Sequence, residues 1–226
     1  MLFGHLGTRW LKGPFDTDPY VLPKGLPVPV DDGTCSHLRG MKMPSFSLPS
    51  TAAHDVSLAD ASRTNAVFFF YPETGKPSAL IPDSWNDIPG ARGCTPQLCA
   101  FRDHYQEFKK QGFEVFGVST QNLDEQIEFA KRNKLPYELL NDSDFRLTRA
   151  LRLPTFEFES KTFVKRLALC RRTWKNRKSV LSHLSTRQKR GARLGVSSRQ
   201  IRPIIIRLND AFQFPSKPAV KFVHEG

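Results

Sequence analysis

The sequence predicts a mixed α/β fold: a largely parallel central sheet covered by helices on both sides. Three observations carry this. Two continuous apolar runs, "NAVFFFYP" at 65–72 and "FEVFGVST" at 113–120, suit strands buried on both faces. Amphipathic segments alternate with them along the chain. Paired alternating segments, "TFEFES" and "TFVKRLALC", close the regular part. Strands that alternate with helices imply parallel pairing with crossovers.

Each element has a local reason. Residues 17–54 are dense in proline, glycine and aspartate, and read as an extended lead-in with at most an edge strand. "DVSLAD" at 55–60 is a short strand or turn. Residues 65–72 form the first buried strand, ended by Pro72. Residues 73–89 are polar and punctuated by Gly75, Pro77, Pro82 and Pro89, which predicts a loop. Helix is expected over 94–111, where Leu98, Phe101, Tyr105 and Phe108 share one stripe and Gly112 suits the C-cap. "NLDEQIEFAKRNK" at 122–134 is a second amphipathic helix with an Asn cap and early acids. "PYELLND" is a short strand. "SDFRLTRAL" is a third, short helix capped by its serine. The closing hairpin turns at 159–161 and adds antiparallel strands at one sheet edge. No internal repeat is present.

Charge divides the chain. Of 226 residues with formal net charge +12, the first 170 are balanced, so residues 171–226 carry the whole excess. The globular part therefore gives no reason to invoke nucleic acid. Only the tail could bind phosphates. No apolar run approaches the ~18–20 residues of a membrane span. Four cysteines in a chain this long are no disulfide framework, which points to a reducing compartment: cytosol, or an organelle interior. The first fifteen residues are basic and acid-free like a transit peptide, yet poor in serine and arginine. Residues 1–25 thus read as a disordered or weakly targeting lead-in.

The chemistry concentrates in "PGARGCTPQLCAFRDHY" at 89–105. Cys94 stands where a long loop becomes a helix. There the first backbone N–H groups lack internal partners and the helix dipole is positive, and both favour a thiolate. Arg92 lies two residues upstream, and Pro96 is compatible with a first turn. Cys99 lies five residues on, ~7.5 Å up the axis. Bridged cysteines need Cα atoms within ~7 Å, so if the two bond, the first turns must unwind. A metal site is not expected, because no second Cys or His pair has ligand spacing. Two unrelated core thiols remain the plainer reading of any such pair. Cys35 and Cys170 are single thiols in unrelated contexts.

The stretch "YPETG…PGARGCTPQLCAFRDHY" resembles peroxiredoxins, most closely the Q-type (bacterioferritin-comigratory) group. "GCT" with a second cysteine five residues later and then "FRD" is a specific signature. The resemblance runs over about residues 26–170 and includes "FEVFGVST", "LRLPTFEF" and "KRLAL". It implies a thioredoxin-like fold and a thiol-dependent peroxidase acting on hydrogen peroxide or organic hydroperoxides. It makes Cys94 the peroxidatic cysteine, oxidised to a sulfenic acid, and Cys99 the resolving cysteine. It implies a thioredoxin-like or other thiol reductant, no cofactor, and a monomer or homodimer. It also implies an arginine late in the sheet that holds the thiolate and the peroxide oxygens. The matching position is Arg166, on strand alternation facing the same way as Val164 and Ala168, with Lys165 the competing surface twin. One position departs: the family's Thr three residues before the peroxidatic cysteine is Ala91 here, and the loop before Cys94 is longer than usual. A non-enzymatic thiol redox sensor or interaction protein on the same fold is the alternative.

The tail does not continue the pattern. Residues 171–226 are densely basic and carry neither a helical nor a strand period, apart from "PIIIRL" at 203–208. Three readings compete: a basic nucleic-acid-binding arm, a disordered tail, and a frameshift. Synonymous codons for 175–192, shifted by one nucleotide, encode a strand-like segment resembling the continuation of this peroxiredoxin subgroup. The frameshift is therefore preferred, and nucleic acid is not an expected partner.

Overall fold

The computed structural model describes residues 18–30, 32–76 and 79–171. Of the lead-in expected over 1–25, residues 1–17 fall outside these and residues 18–25 inside; the basic tail beyond Arg171 also falls outside. Strand β1 (Ser47–Pro49) pairs antiparallel with β2 (Asp55–Ser57), and helix α1 (Leu58–Ala61) follows. Strand β3 (Asn65–Phe70) leads through a long loop, holding the single turn α2 (Asp83–Asn86), to α3 (Cys94–Asp103) and α4 (Tyr105–Lys110). Then come β4 (Phe113–Ser119), α5 (Leu123–Arg132), β5 (Glu138–Asn141) and α6 (Arg146–Ala150). Strands β6 (Thr155–Phe158), β7 (Lys161–Val164) and β8 (Leu167–Arg171) complete the described chain.

The central sheet has the order β5-β4-β3-β8. Strand β3 is parallel to β4, β4 is parallel to β5, and β8 runs antiparallel to β3. This is the mixed α/β sheet the sequence predicts. The period of two along β3 explains why the run "FFFY" is wholly apolar. Phe68 and Phe70 enter one core with Phe116, Val118, Leu140 and Leu147. Phe69 and Tyr71 enter the opposite core with Cys94, Leu98, Phe129 and Tyr137. Both faces are covered, so neither tolerates a polar residue. Gly117 is needed in β4 because a Cβ there would lie 2.6 Å from Leu139 Cδ2 and 2.9 Å from the Phe69 ring.

The sequence-derived elements are largely found, with four differences. Helix 94–111 is two helices, separated at His104. Its apolar stripe is nonetheless real: Leu98 is buried, and Phe101, Tyr105 and Phe108 pack on the same core. The loop 73–89 contains the turn α2. The third short helix is not capped by Ser143. The buried Asp142 carboxylate accepts the Leu147 and Thr148 N–H groups, each at 2.8 Å, and the Thr148 hydroxyl at 2.7 Å. A carboxylate with three donors satisfies helix-end groups that an exposed serine hydroxyl could not reach.

The fourth difference bears on the site. The closing hairpin is β6–β7, turning through Glu159 and Ser160, both at positive φ, and it forms its own two-stranded sheet. Only β8 joins the central sheet. Lys165 and Arg166 lie in the break between β7 and β8, so strand alternation does not orient Arg166. Val164 and Ala168 in fact belong to opposite cores. Among the described residues no helix is long and apolar enough to cross a membrane.

Asp142→Ala should lower stability by about 2 kcal/mol, because it leaves buried donors unmatched. Ser143→Ala should change it by a few tenths at most. Urea midpoints with unchanged slopes measure both, and equal effects would contradict the capping assignment.

Candidate active site

The site is built where β3 ends, α3 begins and the β7–β8 break passes over them. Gly93 is the N-cap of α3, with φ 99°. That left-handed conformation favours glycine. Space demands it as well, since a Cβ would stand 3.2 Å from Arg166 Nη1 and 3.3 Å from Leu22 Cδ2. The glycine thus lets the guanidinium lie over the start of the helix. Cys94 is the first residue of α3 and is 2% exposed.

Arg166 Nη2 donates to Cys94 Sγ at 3.2 Å and to the Arg92 carbonyl at 2.8 Å. The carbonyl bond fixes the guanidinium, and the second contact delivers its charge to the sulfur. The Cys94 thiol points its proton toward the Ala91 carbonyl, 3.5 Å away. The sulfur therefore sits between one guanidinium and the amide end of one helix, both positive. The sequence-based choice between Lys165 and Arg166 is resolved in space: Arg166 reaches Cys94, and Lys165 is exposed.

Ala91 is buried and contributes only its backbone at this point. Neither neighbour replaces a hydroxyl there. The Arg92 side chain is directed to the carbonyls of Asp18 and Val21, at 3.1 and 3.3 Å. The Thr95 hydroxyl accepts the Gly75 N–H at 3.2 Å. Residues 18–22 thus pack against the site, with Pro19 lining the cleft and Leu22 against Gly93.

Cys99 lies on the same unbroken helix as Cys94, and both thiols are free. Five residues of helix separate them by ~7.5 Å along the axis, beyond disulfide reach. Cys99 Sγ donates to Asn133 Oδ1 at 3.6 Å. Burial pushes the Cys99 thiol above its ordinary value, with the Arg102 guanidinium opposing. Cys35 and Cys170 stand elsewhere: Cys35 packs on the first core, and Cys170 belongs to a small third cluster.

Sequence reasoning missed two groups. The Tyr71 hydroxyl is fully buried beside Cys94, and burial, then the nearby sulfur, push it well above the tyrosine range. It therefore remains a donor. Its place in "YP" was the only signal. Asn133, at the C-cap of α5, holds both Cys99 and the Tyr20 hydroxyl, and nothing in its sequence context marks it. Among the described residues no group of three His, Cys, Asp or Glu side chains could hold a metal ion.

A cleft of about 260 Å³ opens beside Cys94. Glu73, Thr95 and Lys161 supply polar lining, and Trp85, Phe158 and Phe163 supply aromatic lining. Burial, and secondarily Glu125, raise the Glu73 carboxyl above the ordinary carboxylate range.

Alkylation of Cys99 by iodoacetamide, mapped by peptide mass spectrometry, should be slow near neutral pH and rise with pH beyond the range of an ordinary thiol. In urea the rise should move down to that range. Identical profiles, folded and unfolded, would contradict the burial of this thiol.

Residues 88–168 match the AhpC/TSA family. The chain is 35% identical over 116 residues to "Peroxiredoxin Q, chloroplastic" of Gentiana triflora, covering 51% of this chain and 46% of that protein. It is 38% identical over 104 residues to the protein of the same name from Arabidopsis thaliana, covering 46% and 41%. It thus spans about half the length of the curated relatives it matches. Among solved structures, peroxidoxin BcpB from Mycobacterium tuberculosis aligns with TM-score 0.47 at 25% identity, over 58% of this chain and 77% of that one. Xanthomonas campestris peroxiredoxin Q aligns with TM-score 0.47 at 20% identity, over 59% and 80%.

Proposed function

We propose that the protein, whose residues 88–168 match the AhpC/TSA family, is a thiol-dependent peroxidase working through Cys94, Arg166 and Cys99. The observation that carries this reading is the Arg166 guanidinium at 3.2 Å from the Cys94 sulfur, at a helix N-terminus beside an open cleft. A core thiol has no use for a partly buried guanidinium. A nucleophile that must carry negative charge does.

The Cys94 thiolate attacks the terminal oxygen of a hydroperoxide. The S–O bond forms as the O–O bond breaks, the sulfur loses two electrons, and the leaving alkoxide or hydroxide takes a proton from solvent. Charge moves from sulfur to oxygen during this step. Arg166 is fixed by its bond to the Arg92 carbonyl and stabilises that charge with little reorganisation. The Ala91 methyl offers no hydroxyl to the peroxide, so orientation falls more heavily on Arg166 and on the backbone N–H groups of α3.

Resolution requires α3 to loosen at its first turn. Cys99 then attacks the sulfenic sulfur, a disulfide forms and water leaves. Loosening also takes Cys99 out of the burial that holds its thiol protonated, so one motion supplies both reach and nucleophile. A dithiol protein of thioredoxin type restores the two thiols. The plant relatives are named chloroplastic, which supports an organelle interior as the compartment, with the cytosol as the alternative.

Steady-state peroxide consumption with a dithiol donor tests the reading and separates an enzyme from a stoichiometric sensor. Cys94→Ser should abolish turnover, and full activity in that variant would refute the proposal. Cys99→Ser should complete one turnover and then stall or overoxidise, seen as added oxygen at Cys94 by mass spectrometry.

Arg166→Ala should lower kcat/KM by roughly 10²- to 10³-fold, the usual loss for one charge-stabilising donor. Arg166→Lys should recover part of it. A loss under threefold in the alanine variant would remove Arg166 from the chemistry.

A further inference from the structure

Residues 18–22 precede the regular elements and lie outside the stretch 88–168 that matches the family. Yet they touch the surroundings of both site cysteines. On the Cys94 side, the Asp18 and Val21 carbonyls accept from Arg92, and Leu22 packs against Gly93. On the Cys99 side, the Tyr20 hydroxyl donates to Asn133 Oδ1 at 2.9 Å. That same oxygen accepts from Cys99 Sγ at 3.6 Å. Between the two, Pro19 fits so closely against Gly75 that a Cβ there would stand 2.3 Å from it.

Donor counting fixes the direction of every bond around Asn133. Arg132 Nη1 lies 2.7 Å from the Tyr20 oxygen, and a guanidinium only donates. The tyrosine proton is therefore directed to Asn133. Asn133 Nδ2 donates to the Phe129 carbonyl at 3.0 Å, which turns Oδ1 toward Tyr20 and Cys99. An amide oxygen only accepts. Cys99 must then be the donor, a role open to a thiol and closed to a thiolate. A thiolate in that place would face a lone pair, and Asn133 is buried, so water does not relieve the mismatch.

We propose that Tyr20 and Asn133 are positioning residues for the resolving step: they latch the Cys99 thiol to the end of α5 while α3 is closed, and release of this latch sets how fast a sulfenic acid on Cys94 becomes a disulfide. This rests on the peroxidase reading above and names what governs its second step. Every bond of the latch belongs to the closed helix. Cys99 has to leave Asn133 to reach Cys94, so a weaker latch favours local opening. The balance is that of the step already given: the two sulfurs bond, the S–O bond breaks, and the hydroxyl leaves as water with the Cys99 proton. Attack on the peroxide uses none of these groups.

Tyr20→Phe tests the latch. It keeps the ring and deletes only the oxygen, at a residue that is 44% exposed, so the fold is not at stake. In the reduced full chain, iodoacetamide at neutral pH should alkylate Cys99 about threefold to tenfold faster in the variant than in wild type, the factor that one neutral hydrogen bond supplies. After one equivalent of hydrogen peroxide, quenched-flow mass spectrometry separates oxidation of Cys94 from disulfide formation. The variant should leave the first rate unchanged and raise the second by the same factor. Under excess peroxide it should accumulate less sulfinic acid at Cys94. A residue that merely supported the site would change the first rate as well. Unchanged alkylation of Cys99, or disulfide formation that is unchanged or slower, overturns the latch while leaving the peroxidase reading intact. Absence of a Cys94–Cys99 disulfide in peroxide-treated wild type ends both.

Discussion

The contact between Arg166 and the Cys94 sulfur is the constraint around which the fold is arranged. A guanidinium cannot be brought to a buried thiol cheaply, because removing it from water costs more than a single neutral partner returns. The chain offsets part of that cost with two acceptors for one nitrogen, while Arg166 Nε is buried without a hydrogen-bond partner among the described residues. One nitrogen reaches both the Arg92 carbonyl and the sulfur, and the missing side chain of Gly93 makes room for it. The central sheet serves the same contact from below. Strand β3 ends one residue before Tyr71, β8 begins one residue after Arg166, and the pairing of Phe70 with Leu167 holds the two ends together.

The proposed reaction asks the helix that carries both cysteines to be firm enough to position Cys94 and loose enough to release it. Its two ends differ accordingly. Phe101 stacks on Phe69 with centroids 4.1 Å apart and rings nearly parallel, and it also stacks on Phe108. Such pairs add ~0.5–1.5 kcal/mol beyond burial and keep the middle of α3 on the sheet. The first turn has no side-chain cap. Leu98, with its carbonyl held by the Tyr137 hydroxyl at 2.6 Å, is the main apolar group that loosening would disturb. In the proposed reaction the segment to loosen lies between Gly93 and the aromatic stack, the interval that contains the two thiols.

Much of this was legible in the sequence, for reasons that can be named. Buried strands such as 65–70 announce themselves because both faces demand apolar residues. The stripe at Leu98, Phe101, Tyr105 and Phe108 reads correctly because a helix repeats its own geometry. Cys94 was legible because a loop-to-helix junction is a local event. What failed was non-local. The break at Lys165–Arg166 has no composition signal, since its residues suit a strand as well as a bend, and only the separate seating of the β6–β7 hairpin reveals it. Asp142 was passed over for Ser143 because cap preference is a statistical matter until burial decides which side chain faces the helix end. Asn133 and the Trp85–Phe158–Phe163 wall are assembled from distant segments and leave no trace in any one of them.

The Arg92 side chain, turned away from the sulfur, donates to the carbonyls of Asp18 and Val21. Those carbonyls belong to the proline-rich stretch that precedes the regular fold, where sequence patterning alone would invite an experimenter to trim. Cutting the gene at the first recognisable strand would take two acceptors from an enclosed cation and remove Pro19 and Leu22 from around the reactive centre. Expression designs that begin at or before residue 17 keep this seal; shorter ones trade a tidier boundary for a leaking chamber.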